Sequence, residues 1–239
     1  MTELLYQTDS YLKEFEARIT SVVPADRAVV LDRTAFYPGG GGQPCDFGTL
    51  TVESVTFPVA KVKKQGEDVL HFLGGDLPLP SVGSAAHGTL DWVRRYKLMR
   101  THTALHVLCG TIFRDYNALV TGGDMEPGKG RLDFEFETMG GELVREVEAS
   151  INKEVAQARE IRVRILPREE AFQLPDLIRT KINLLPEGIM QVRTVEIVGL
   201  DLQADGGTHV HNTNEVGRIR VADYKSKGKI NKRIYIELE

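Results

Sequence analysis

Cysteine is almost missing from this chain. Cys45 and Cys109 are the only two in 239 residues, too few for a disulfide scaffold and in keeping with a reducing compartment. No uncharged apolar run approaches the roughly 20 residues a membrane-spanning helix needs. Met1 to Ser10 carries Glu3 and Asp9 and has no basic start leading into an apolar core, so no secretion signal is read. The expectation is a soluble, cytoplasmic protein. A strong charge bias is also lacking. The formal net charge of −4 gives no general attraction for polyanions, so any nucleic-acid contact has to rest on local basic patches. What remains is an ordinary globular composition, long enough for one large domain or two small ones.

Residues 1 to 88 read as short strands. Phe15 to Val23 and Arg27 to Asp32 are β-compatible, with the turn residues Pro24-Ala25-Asp26 between them. Further strands are expected at Gly48 to Val55, Val59 to Lys64 and Val69 to Leu73. Many short strands with frequent turns predict a small β-barrel, ending near Ser81 to Gly88. Inside this region Phe36-Tyr37-Pro38 leads into Gly39, Gly40, Gly41 and Gly42, then Gln43-Pro44. Glycines of this kind adopt positive φ and let a ligand or another backbone come close. The stretch lacks the Lys-Ser/Thr ending of a phosphate loop, and no helical pattern follows it.

The period changes at Asp91, a reasonable N-cap. Leu98, His102, Leu105, His106, Cys109, Ile112, Phe113 and Tyr116 form a stripe at helical spacing, with Arg94, Lys97 and Thr101 on the opposite face. His102 and His106, at i and i+4, project from one side of that helix. A lone histidine on an apolar stripe is usually a satisfied core residue. Two would each need a buried partner, so the pair is equally a candidate metal site. Thr103 follows the first histidine, which rules out a His-Glu-x-x-His protease motif.

Arg131 to Glu137 alternates as a strand. A second helix follows Gly140-Gly141, burying Leu143, Val144, Val147, Ile151, Val155 and Ala158 with Glu146, Lys153 and Glu154 outside. Strands are expected at Ile161 to Leu166 and Met190 to Val198, and short helices at Arg168 to Phe172 and Asp176 to Ile182. A final strand pair is read at Val216 to Tyr224 and Lys229 to Leu238. Long helices among segregated strands, without strict βαβ alternation, indicate an α+β fold: a barrel domain over 1–88 and an α+β domain with an antiparallel sheet over 89–239.

Asp205-Gly206-Gly207-Thr208-His209 repeats the i, i+4 spacing with Asp and His on glycine-rich backbone. Such a loop suits close packing against a bound group; otherwise it is a surface turn with an incidental histidine. With His102 and His106 it makes a four-ligand zinc set, His102, His106, Asp205 and His209. His211 ranks second as a ligand, because in extended backbone it faces away from His209.

These motifs resemble the editing domains of alanyl-tRNA synthetases and the freestanding AlaX proteins. The resemblance rests on His102-x-x-x-His106 and on His209 in a Gly-Gly-Thr-His context. It extends to the glycine-rich motif from Phe36 to Pro44, to Leu200 to Gln203, to Val210 with Thr213 to Gly217, and to Lys227-Gly228-Lys229. It spans essentially the whole chain. No aminoacylation domain is read, and nothing after Glu239 for a further oligomerisation domain, so the expectation is a freestanding protein acting in trans. Asp205 stands where the family usually has cysteine. A carboxylate is an acceptable but harder zinc ligand; the alternative is that Asp205 is a base or supports a ligand from outside.

The resemblance implies a zinc-dependent deacylase that hydrolyses the ester of serine, with glycine as a second substrate, from mischarged tRNA(Ala). The ion either activates water or orients the substrate. Thr208 and the amides around Gly206-Gly207 are candidates for polarising the carbonyl or holding the ribose. The glycine-rich loop, Gly39 to Gln43, is implied to help discriminate the amino acid, which would set the barrel beside the catalytic site. For tRNA contact, Arg94, Arg95, Lys97 and Arg100 cluster near the helix start, and Lys225, Lys227 and Lys229 stand among the basic residues of the last strands. Against this stands a non-catalytic tRNA-binding module with a structural metal.

Overall fold

The structure, a computed structural model, describes residues 1–175, 177–180 and 188–239. It divides into two compact units, Met1–Lys97 and Leu98–Glu239. Among the described residues no helix is long and apolar enough to cross a membrane. The helix expected over Asp176 to Ile182 lies partly outside the described residues.

The first unit holds β1 (Glu3–Leu4), β2 (Glu14–Val23), β3 (Ala28–Leu31), β4 (Arg33–Thr34), β5 (Gly48–Val52), β6 (Val55–Gln65), β7 (Asp68–Leu73) and β8 (Ala85–Leu90). Six of these close a barrel in the order β2-β3-β7-β6-β5-β8, every pairing antiparallel. Alternation along the strands sends Phe15, Ile19, Leu50, Val52, Phe57, Val59, Val69 and Leu73 into one core. The run expected as one strand over Gly48 to Val55 breaks at Glu53, which has a φ of 57°, and Val55 opens the next strand. The residues of β8 carry no strand pattern and fall where a domain boundary is expected. There Gly88 sits opposite Phe15, and a Cβ in its place would fall 2.3 Å from the Phe15 ring. The glycine is required by packing, not by a turn.

The glycine-rich loop joins β4 to β5. Gly39, Gly40, Gly41 and Gly42 have φ of 85°, 142°, 56° and 90°, a run of backbone that L side chains resist. Gly40 and Gln43 exchange two backbone hydrogen bonds, of 3.0 and 2.9 Å, and Tyr37 donates its hydroxyl to Gly40 O at 3.0 Å. Gly40 to Gly42 are exposed, while Gln43 is buried.

The helix α1 (Trp92–Tyr116) starts where expected, with Asp91 Oδ1 accepting from the Arg94 amide at 3.1 Å. Beyond the stripe the expectation holds at Lys97, which is exposed, and fails further along. From Leu98 to Ile112 every residue but Arg100 is buried, Thr101 included. The cause lies in the second unit, where sheets pack on two sides of the helix. Gly130 leaves room for Leu105, since a Cβ there would lie 3.0 Å from it. Gly110 leaves room for Asp201, at 2.8 Å by the same measure.

Those sheets are β14-β15-β10-β9 and β11-β12-β13, antiparallel throughout. Their strands are β9 (Val120–Glu126), β10 (Lys129–Glu135), β11 (Ile161–Pro167), β12 (Gln191–Ile197), β13 (Asp201–Ala204), β14 (Ile219–Ser226) and β15 (Asn231–Leu238). Strand β9, interrupted by Gly122-Gly123, and the four-residue β13 are not expected from the residue pattern. The strand expected to begin at Val216 starts later, because Thr213–Val216 is a 3-10 helix. The helix α2 (Gly141–Ala156) buries Val144, Val147, Ile151 and Val155 as expected, and α3 (Arg168–Ala171) is a single turn. Glu154 corrects the reading. It is buried, not outside, and Arg114 and Arg159 hold its carboxylate at 2.5 and 2.8 Å. Those two guanidiniums outweigh the upward push of burial and keep its carboxyl below the usual range.

Candidate metal centre

The middle of α1 presents His102 and His106 one turn apart, both buried, with ring centroids 5.0 Å apart. The loop after β13 brings His209 against them, its ring stacked on His102 at 4.3 Å and edge-on to His106 at 4.7 Å. Asp205 completes the group. Its Oδ2 lies 3.0 Å from His209 Nε2 and its Oδ1 3.6 Å from His102 Nε2. One ligand atom from each of the four residues falls within 4.8 Å of the others. His211 is exposed and outside this cluster, its amide donating to Glu215 at 3.1 Å.

The local backbone explains why Asp205 points inward. Gly207 N–H donates to Asp205 Oδ2 at 2.8 Å, closing a tight turn through an exposed Gly206, and Arg193 Nη1 donates to Asp205 O at 2.9 Å. The Gly207 amide, expected to polarise a carbonyl, is thus engaged with the carboxylate. Thr208 is fully buried.

Charges within the cluster follow from burial and from each other. Burial lowers His102 well below its ordinary value and His209 to about 4. Burial also opposes protonation of His106, but the hydrogen bond and charge of Asp201 prevail and raise it. Asp205, pushed up by burial, is brought well below the carboxylate range by His102 and by the His209 hydrogen bond.

Several contributors carry no role in the sequence reading. Asp201 Oδ2 lies 3.0 Å from His106 Nδ1, and Thr103 Oγ1 lies 3.1 Å from His209 Nδ1. Gln203 Nε2 donates to Asp201 Oδ2 at 2.7 Å, and Arg193 Nη1 stands 3.7 Å from Asp205 Oδ2. One signal for the first was present: in extended backbone Asp201, Gln203 and Asp205 share a face at a spacing of two.

The expected tRNA contacts divide. Lys225, Lys227 and Lys229 are exposed on the hairpin joining β14 to β15, Lys225 paired with Asp223 at 3.0 Å. Arg94 is half-buried, its guanidinium 3.9 Å over the Phe47 ring and its Nε donating to Cys45 O. Arg100, also half-buried, donates to Val216 O at 3.0 and 2.7 Å. Arg95 has to be withdrawn as an RNA contact. It is wholly enclosed and bonded to Asp46, Ser10 O and Ala35 O. Its place on the helix turns it inward, where a charge run alone suggests a solvated face.

Two separate stretches of the chain match known protein families. Residues 7–94 match the model for tRNA synthetases class II (A), and residues 192–235 match the threonyl and alanyl tRNA synthetase second additional domain. Among individual relatives, the alanyl-tRNA editing protein AlaX-M of Saccharolobus solfataricus is 41% identical over 239 residues, 98% of each chain. The AlaX-M of Methanosarcina barkeri is 38% identical over 242 residues, all of this chain and 99% of its own. The alanine--tRNA ligase of Ignicoccus hospitalis is 37% identical over 92% of this chain, which amounts to 24% of the ligase. The chain belongs to the AlaX-M family of alanyl-tRNA editing proteins.

Proposed function

We propose that this protein is a trans-acting editing hydrolase that removes a wrongly attached amino acid from tRNA(Ala). Its family supports the editing function. The observation that carries the hydrolytic reading is the buried convergence of His102, His106, His209 and Asp205. This donor set fits a divalent cation. Three imidazoles and one carboxylate suit zinc, and the Nδ1 atoms of His106 and His209 already have partners on their outer sides. When bound, zinc supplies Lewis acidity toward a carbonyl or a water.

The chain's own residues do the rest. Gly207 and Arg193 hold Asp205 in its inward turn. Thr208, next to His209, is assigned to the ester carbonyl or the terminal ribose. The glycine-rich loop, Gly39 to Gln43, is assigned to reading the amino acid; its exposed backbone at Gly40 to Gly42 suits a close approach to substrate. Serine is the expected leaving amino acid and glycine the second. A synthetase pocket built for alanine rejects one added hydroxyl or one missing methyl weakly, whereas a second site that hydrogen-bonds the serine hydroxyl discriminates against alanine strongly. Lys225, Lys227 and Lys229 are assigned to tRNA phosphates.

The test is hydrolysis of seryl-tRNA(Ala) by the full chain, before and after chelation, and by His102→Ala. Loss of activity in both cases, with restoration by zinc in the first only, supports the reading. Undiminished hydrolysis by the chelated protein removes the metal from the mechanism.

A further inference from the structure

We infer that Asp201 and Thr103 are positioning residues: Asp201 turns the Nε2 lone pair of His106 into the centre, and Thr103 holds the His209 ring from its outer side. This rests on the metal reading proposed above. Asp201 is a carboxylate with no exposed side-chain surface, and its Oδ2 sits 3.0 Å from His106 Nδ1. An ionised carboxylate only accepts, so the proton between them belongs to Nδ1 and the lone pair to Nε2. Gln203 Nε2, donating to the same oxygen at 2.7 Å, and Arg179 Nε, 3.5 Å from Asp201 Oδ1, hold the carboxylate in place.

Thr103 does the corresponding work for His209. Its Oγ1 accepts from the Val210 amide at 3.3 Å and lies 3.1 Å from His209 Nδ1. A hydroxyl both donates and accepts, so this contact holds the ring in either tautomer: here His209 Nε2 meets Asp205 Oδ2 at 3.0 Å, and once the proton leaves Nε2 for ligation, the remaining Nδ1–H has Thr103 Oγ1 as its acceptor. The two supports cross. A strand residue orients the helix ligand, and a helix residue orients the loop ligand. Each ring is therefore tied to the element that carries the other, and the two halves of the centre are fastened together before any ion enters. His102 and Asp205 approach within this frame.

The test is zinc affinity of the full-length protein by competition with a chromophoric chelator, well below the unfolding temperature, together with the imidazole tautomers from long-range proton–nitrogen spectra. Asp201→Leu removes the acceptor at similar size and is expected to weaken zinc binding about 10–100-fold, with His106 shifting to a mixture of tautomers. Asp201→Asn keeps a carbonyl acceptor and is expected to recover most of that loss. Thr103→Val is expected to weaken zinc binding about 10-fold by loosening the His209 ring, and to leave the His106 tautomer unchanged. Wild-type affinity in a folded Asp201→Leu protein overturns the inference. Should that variant not fold, wild-type affinity and an unshifted His106 tautomer in Asp201→Ser, together with wild-type affinity in Thr103→Val, overturn it. A wild-type chain that takes up no zinc refutes the metal reading itself, a result distinct from either.

Discussion

Replacing Arg95 by methionine tests how far the barrel unit depends on a single enclosed charge. Neither Arg95 nor Asp46 has any exposed side-chain surface. The guanidinium holds both carboxylate oxygens of Asp46 through Nε at 3.0 Å, and donates to Ser10 O at 2.9 Å and Ala35 O at 2.5 Å. Asp46 in turn accepts from the Tyr37 amide at 2.6 Å, and its own amide donates to Tyr37 O at 3.0 Å, which closes the base of the glycine-rich loop. Methionine fills much of the space but leaves Asp46 a buried charge without its partner. That class of change costs about 3–5 kcal/mol, and two carbonyls losing their donor add about 1 kcal/mol each. A loss of about 5–7 kcal/mol is comparable with the whole stability of a marginal domain. The assay is urea unfolding followed by the fluorescence of Trp92, the single tryptophan in the chain, which lies in the same unit. Adding Asp46→Asn to Arg95→Met removes the stranded charge, so the double variant is expected to be more stable than the single one. A single variant within about 1 kcal/mol of wild type, or a double variant that simply adds two losses, refutes the reasoning.

Three further outcomes are expected. Asp205→Cys keeps or tightens zinc binding, while Asp205→Ala weakens it; unchanged metal content in Asp205→Ala would remove Asp205 from the ligands. His71 is enclosed in the barrel, and burial lowers it from an ordinary 6.5 to about 4. Its unfolded form gains a proton first, so stability falls as pH drops from about 6.5 to about 4, by about 3 kcal/mol for this group, and His71→Gln should flatten that slope in unfolding curves. Lys225→Ala, Lys227→Ala and Lys229→Ala together weaken tRNA binding and reduce its salt slope by about 0.7–0.9 for each phosphate no longer neutralised, measured by filter binding across salt concentrations. An unchanged slope would take the hairpin out of the RNA interface.

What can be read from the residues depends on whether the signal is local. The i, i+4 pairs His102 with His106 and Asp205 with His209 carry their geometry in their spacing, and the structure brings them together. The barrel strands with branched or aromatic alternation are legible for the same reason. Strand β8 is not, because Ala85, Ala86 and Gly88 have no strand signature; Gly88 is set by the ring of Phe15 on the paired strand. Helix α1 shows its stripe, yet its far side is covered by a sheet that no periodicity announces. Arg95 meets the same limit: one residue in a basic run turns inward because Asp46, 49 residues earlier, waits there. The outer partners of the histidines arise from tertiary contacts, and only the alternation of Asp201, Gln203 and Asp205 hints at one of them.

The most direct test of the central claim is the deacylation of seryl-tRNA(Ala) and alanyl-tRNA(Ala) by the zinc-loaded protein under the same conditions. The account predicts that serine is released while alanine stays attached. Survival of seryl-tRNA(Ala) would contradict the editing function, and equal release of both amino acids would contradict the assigned discrimination.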